Sequence, residues 1–212
     1  MAGSQTIGLS ARWATSLAFF MVSLAFWSVA YGLELGNAVP EIKIFWYKAK
    51  YLGVVAVLIS AAYFVFQYAG YYRWANWRGL FVIGLIPTLA LATLWTNAFH
   101  QLFLRNVTAG AQNPISMLHV EYGPVFWIFT AYYYSVFALS MALLVRRCWA
   151  KSSGQLCRNV LALLIGALAP WLANMFTLSP WNPQPDLDLT PFTFMITGGL
   201  LPGRSSATNC SI

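Results

Sequence analysis

The chain has 212 residues, 59% of them hydrophobic and 17% aromatic, but only 8% charged, with a formal net charge of +7. A soluble domain carries about 25% charged residues; here too few are present to cover a water-facing surface, which excludes a soluble globular protein. The apolar runs are continuous rather than alternating, so they read as helices and not as strands of a membrane barrel. The expected fold is an all-α integral membrane protein, a polytopic bundle of about six transmembrane helices.

Uncharged stretches between charged residues locate the spans, since a helix needs about 20 residues to cross the hydrocarbon core. The first runs over 13–33, between Arg12 and Glu34. Ser28-Val29-Ala30 imitates a signal-peptide cleavage site, but the apolar stretch exceeds the usual h-region of about 7–15 residues. Trp27 and Tyr31 suit a membrane interface, and a retained helix is expected. The second span covers 51–72, between Lys50 and Arg73, and the third 79–104, between Arg78 and Arg105. The fourth, 122–145, opens on Gly123-Pro124, a favourable place for proline; the fifth covers 159–185. Pro87 and Pro170 lie inside spans, so they should kink them, and neighbouring groups must satisfy the carbonyls they free. A shorter sixth helix is expected from Thr190 to Leu201, capped by Asp188 or Thr190, with Pro191 in its first turn. The organisation is then a helical transmembrane domain over 1–201 and a short polar tail over 202–212.

Charge orients the bundle. With the start in the cytoplasm, Arg12, Arg73, Arg78, Arg146, Arg147, Lys151, Arg158 and Arg204 lie inside, eight of the twelve basic residues. Lys43, Lys48, Lys50 and Arg105 lie outside with all five acids. The Lys/Arg bias predicts a multi-pass plasma-membrane protein with both termini cytoplasmic. The basic excess beside the inner headgroups points to the lipid bilayer as partner and not to nucleic acid. Three cysteines, an odd number, argue against a disulfide framework in a reducing compartment. No phosphate-binding loop, zinc-type cysteine pair or HExxH is present, so no catalytic residue, metal or cofactor is expected. A pump would place ionisable residues at the midplane, and by the charge-free runs none lies deep in a span. A deep haem needs axial ligands, often histidines, and His100 and His119 sit at the rim.

Polar residues gather on the outer rim. Glu34 ends the first span, Asn97 and His100 the third, and Tyr122 and Trp127 begin the fourth. Asp188 precedes the sixth. Asn174 lies inside the fifth span, one turn after Pro170, where a buried amide needs a partner: a carbonyl freed at the kink, or a ligand or water. Taken singly, interface aromatics and loop carboxylates need no ligand.

The strings "FWSVAYGLEL", "KIFWYKAKYLG", "TNAFHQLF", "YGPVFWI", "LIGALAPWLANM" and "DLDLTPFTF" resemble, in order, the N-terminal membrane region of seven-helix sensor histidine kinases. The resemblance runs over nearly all of 12–199. It implies an extracytoplasmic or intramembrane signal input, signalling as a homodimer, and output to a cytoplasmic kinase. It also makes Glu34, Asn97, His100, Tyr122, Trp127, Asn174 and Asp188 candidates for binding an unknown small-molecule ligand. The family begins with one more helix than is seen before Arg12, and its kinase domains do not follow Gly199, so this chain is expected to lack kinase activity. An accessory subunit completed by other membrane subunits is the alternative. His100 and Glu34 are further expected to lie close together beside a small cavity under the 100–121 loop, where a nearby carboxylate would favour the protonated imidazole.

Overall fold

The computed structural model describes residues 2–109, 118–151, 154–183 and 187–194, with side chains from Thr15 onward. Five helices dominate: α1 (Ala2–Gly36), α2 (Pro40–Tyr68), α3 (Trp77–Trp95), α4 (Pro124–Lys151) and α5 (Gly154–Thr177). Each contains a segment long and apolar enough to cross a membrane. The chain is therefore a helical, multi-pass membrane protein, as its composition requires. Residues 190–194 are helical, where the sixth helix was expected to start; its remainder to Leu201 and the 202–212 tail lie outside the described residues.

Two compact units divide the chain, 1–153 and 154–212. In the first, α2 packs against α1, α3 and α4. The α1–α2 approach is close because Gly53 has no side chain. A Cβ there would lie 2.8 Å from Trp27 Cβ and 2.9 Å from Trp27 Cα. Small residues at such crossings let helix backbones meet in lipid, where no hydrophobic force drives helices together. Ala62, Phe66 and Ile83 form a core toward the other end, with Val136 and Leu143 packed on it. The outward faces are apolar: Phe19, Val22 and Val29 of α1, Phe81 and Leu89 of α3, and Ile128 of α4 are exposed, as hydrocarbon contact demands.

Several serine hydroxyls inside the spans are satisfied locally. Ser23, Ser28, Ser60, Ser135 and Ser140 each donate to the carbonyl four residues earlier, the usual way a hydroxyl is accommodated within a helix. Pro87 removes the amide that would have bonded Ile83, and the Tyr132 hydroxyl of α4 donates to that carbonyl at 2.9 Å. The demand raised by a mid-span proline is met by the neighbouring helix.

Several boundaries depart from the sequence expectation. α2 begins at Pro40 rather than 51 and takes Lys43, Lys48 and Lys50 into the helix. Treating every charge as a water-facing boundary fails here because Lys43 is only 1% exposed and Lys50 7%. α3 ends at Trp95 rather than 104. The expected outer loop is in part an antiparallel hairpin of β1 (Leu104–Ala109) and β2 (Leu118–Tyr122), bulged between Leu104 and Asn106. Cys148 and Cys157 are each disulfide-bonded, against the expectation drawn from the odd count.

In the second unit, residues after α5 fold back onto its end. Asn182 Nδ2 donates to the Thr177 carbonyl at 3.2 Å, and the Leu189 amide to Thr177 Oγ1 at 3.4 Å.

Candidate functional site: an ion pair in an aromatic frame

The turn at 37–39 joins α1 and α2 as an antiparallel hairpin. Glu34, near the end of α1, therefore faces Lys50 of α2. Lys50 Nζ lies 2.8 Å from Glu34 Oε2, with the side chains only 9% and 7% exposed. Tyr31 precedes Glu34 by three residues and Tyr47 precedes Lys50 by three, so each ring shares a helix face with its charge. The ammonium lies 4.1 Å from the Tyr47 ring centroid and 5.0 Å from that of Tyr31, within cation–π range. Two rings and a carboxylate thus replace the water that a buried ammonium gives up.

From Lys50 the aromatic contacts continue without a gap. The Tyr47 and Tyr51 hydroxyls are 3.2 Å apart, and Tyr47 also hydrogen-bonds Tyr122. Tyr51 meets Phe103 edge-on at 5.3 Å, and Phe103 meets Phe126 at 5.8 Å. Tyr122 stacks on Phe126 at 3.7 Å and meets Trp127 edge-on at 6.3 Å. The run connects α1, α2, the base of the hairpin and the first turn of α4. Movement of the hairpin is thereby tied to the surroundings of the ion pair.

The α3 exit holds this base in place. Asn97 Oδ1 accepts from the Phe103 and Leu104 amides, both at 3.0 Å, and its Nδ2 donates to the Leu104 carbonyl at 2.8 Å. One buried amide replaces the partners that the backbone lost when the helix ended. Gln101 takes a left-handed φ of 52° to complete the reversal. Gly123 is required next: a Cβ there would fall 2.1 Å from the Leu102 carbonyl oxygen. Its amide donates to Phe103 at 2.8 Å, and that of Val125 to Leu102 at 3.1 Å. The loop base is thus pinned to the start of α4.

Of the sequence candidates, the structure links Glu34, Tyr122 and Trp127 through this run. Asn97 is a backbone clamp directly beneath it. His100 belongs to the same turn, where its Nδ1 accepts from the Leu102 amide at 3.1 Å and its Nε2 lies 3.0 Å from Thr96 Oγ1. Glu34 meets Lys50 and His100 meets Thr96; among the described residues no ion pair joins Glu34 to His100. Asn174 and Asp188 lie in the second unit and meet at Thr190. Asn174 Nδ2 is 3.3 Å from Thr190 Oγ1, and Asp188 Oδ1 accepts the Thr190 amide at 3.0 Å. The first-turn capping expected of Asp188 is therefore present.

Lys50, Tyr31, Tyr47, Tyr51 and Phe103 were missed. For Tyr31, Tyr47 and Lys50 the signal was the repeated spacing of a tyrosine three residues before a charge, in "YGLE" and "YKAK". Lys50 also falls inside the candidate span of α2, Pro40–Tyr68, where the charge-free run had placed it just before the span. Beneath the cluster an apolar crevice between Tyr51, Val55, Pro87, Leu94, Phe103 and Phe129 is too tight for a water molecule. Neither His100 nor Glu34 borders it. Among the described residues no three His, Cys, Asp or Glu side chains gather as a metal site would need.

No curated protein and no solved structure matches the chain. Residues 4–202 match the family described as the N-terminal 7TM region of histidine kinase. The match covers nearly the whole sequence, and the chain belongs to that family of N-terminal seven-transmembrane regions of histidine kinases.

Proposed function

We propose that this chain is a signal-input domain, and that the Glu34–Lys50 pair with its tyrosines is the element the signal acts on. The observation that carries this reading is the burial of the pair where α1, α2 and the hairpin base come together. An intramembrane ion pair is costly to form and costly to break, which suits a two-state device. A ligand or force shifts such a device only by interacting differently with its two arrangements. The signal reaches the hairpin from the extracytoplasmic side, moves Tyr122 and Phe103, and alters the packing of α1 on α2. Output passes to a cytoplasmic kinase through a homodimer, with both chain termini cytoplasmic. The chain itself performs no phosphoryl transfer.

The test joins the chain to a histidine kinase module and reads output with a transcriptional reporter in intact cells. Glu34→Gln and Lys50→Met are expected to lock output, either high or low, when output is normalised to the amount of protein in the membrane. Wild-type basal and stimulated output in both variants would discard the role given to the pair. Orientation is checked separately by cysteines introduced at 112 and 153: external labelling of 153 in place of 112 reverses it.

A further inference from the structure

A second charged feature lies at the other end of the first unit, where α2 turns into α3. The α2 terminus closes through Gly70 at φ 83°, with the Tyr71 amide on the Phe66 carbonyl at 2.8 Å and the Gly70 amide on Gln67 at 3.1 Å. This is the glycine-closed terminus expected of a helix end, but the glycine also makes room. A Cβ at Gly70 would lie 3.2 Å from Arg147 Nη1 and 3.6 Å from its Cζ. The guanidinium of α4 therefore rests against the α2 turn.

Among the described residues no carboxylate pairs with it. The sequence contains no Asp or Glu from 42 to 120, nor from 122 to 185. Arg147 Nε is buried without a hydrogen-bond partner among the described residues. The negative pole of α2 explains why a cation rests there, yet it fills none of the N–H donors. A partly buried guanidinium with empty donors is unfavourable unless an acceptor arrives.

The surroundings indicate which acceptor. Arg73 lies in the turn that follows Gly70, Arg78 in the first turn of α3, and Arg146 beside Arg147; all three are exposed. Between and beside them Tyr72, Trp74, Trp77 and Trp149 are exposed at 51%, 55%, 73% and 80%. Exposed Trp and Tyr flanking apolar spans mark the headgroup level of a bilayer. Phosphate oxygens match the planar fork of arginine. We infer that this end of the unit holds the phosphodiester of an anionic phospholipid, with Arg147 as its anchor and Arg73 and Arg78 as outlying cations. The lipid supplies the counter-charge that the chain lacks here, and it bridges α2 and α4.

The full-length chain, purified in neutral detergent, is titrated with dioleoylphosphatidylglycerol, and bound lipid is counted by native mass spectrometry. Phosphatidylcholine and inorganic phosphate are run as parallel arms. Arg147→Ala is expected to weaken phosphatidylglycerol binding about fivefold or more, from the usual contribution of one basic residue near an anionic surface. Arg147→Lys should weaken it less, and Arg105→Ala, at the opposite end, should leave it unchanged. Arg147→Lys retains the charge and protects the test against a misfolded alanine variant. Wild-type affinity in both Arg147 variants would overturn the site. Equal binding of phosphatidylcholine would overturn its charge selectivity, and displacement of the lipid by inorganic phosphate would overturn the lipid as its occupant.

Discussion

Removing the Glu34 carboxylate is the most informative perturbation of the ion pair. At 2.8 Å and an effective dielectric of about 20, the Coulomb attraction is about 6 kcal/mol. Desolvation of both groups offsets much of that, so the net value of the pair is small. The loss on truncation is not small, because Lys50 would stay buried with only the Tyr31 and Tyr47 rings beside it. Breaking one side of a buried pair costs about 3–5 kcal/mol. Glu34→Ala should therefore destabilise the purified protein by that amount, read as unfolding in mixed micelles of increasing SDS fraction. Replacing both residues, Glu34→Leu with Lys50→Met, should recover most of it, since a hydrophobic pair of similar volume is often neutral. A Glu34→Ala loss below about 0.5 kcal/mol, the range of ordinary surface substitutions, would show that Lys50 is solvated or otherwise paired, and the reasoning would fail. Equal loss in the single and double variants would show that packing rather than charge is responsible.

Gly53→Leu places a large side chain where even a Cβ would meet Trp27 at 2.8 Å; the same unfolding assay should show a loss of about 1–3 kcal/mol, as overpacking does. Tyr132→Phe leaves the Ile83 carbonyl beside Pro87 without its donor, and should cost about 0.6–1.7 kcal/mol, the range of interhelical hydrogen bonds in membranes. Adding Pro87→Ala should recover the Tyr132→Phe loss, because the restored amide again bonds Ile83; no recovery would refute the assignment. Asn97→Ala removes three hydrogen bonds from the loop base, so amide exchange at Phe103 and Leu104 should quicken at least tenfold, from about 1.4 kcal/mol of lost protection. Unchanged exchange there would mean that Gly123 and Val125 hold the turn unaided.

The class of this protein was already determined by composition: at 8% charge no water-facing surface can be built, and backbone hydrogen bonding in lipid then requires helices. Five spans, the proline at the start of α4 and the family strings were readable for the same reason, since each depends on residues near one another in the chain. The start of α2 was not. Lys43 and Lys50 look like the edge of a membrane until a second helix supplies cover, and whether a charge is exposed depends on what packs over it. The candidate site divides in the same way. Glu34, Tyr122 and Trp127 stood out as rim residues, but Lys50 acquires its role only when the 37–39 turn folds α2 back along α1. Asn97 looked like a ligand-binding amide because it is polar at the end of an apolar run. Its neighbours in space, the Phe103 and Leu104 backbone, occupy both ends of that amide. The carbonyl freed by Pro87 was foreseeable as a need, while the helix and the tyrosine that meet it were decided by the packing of α3 against α4.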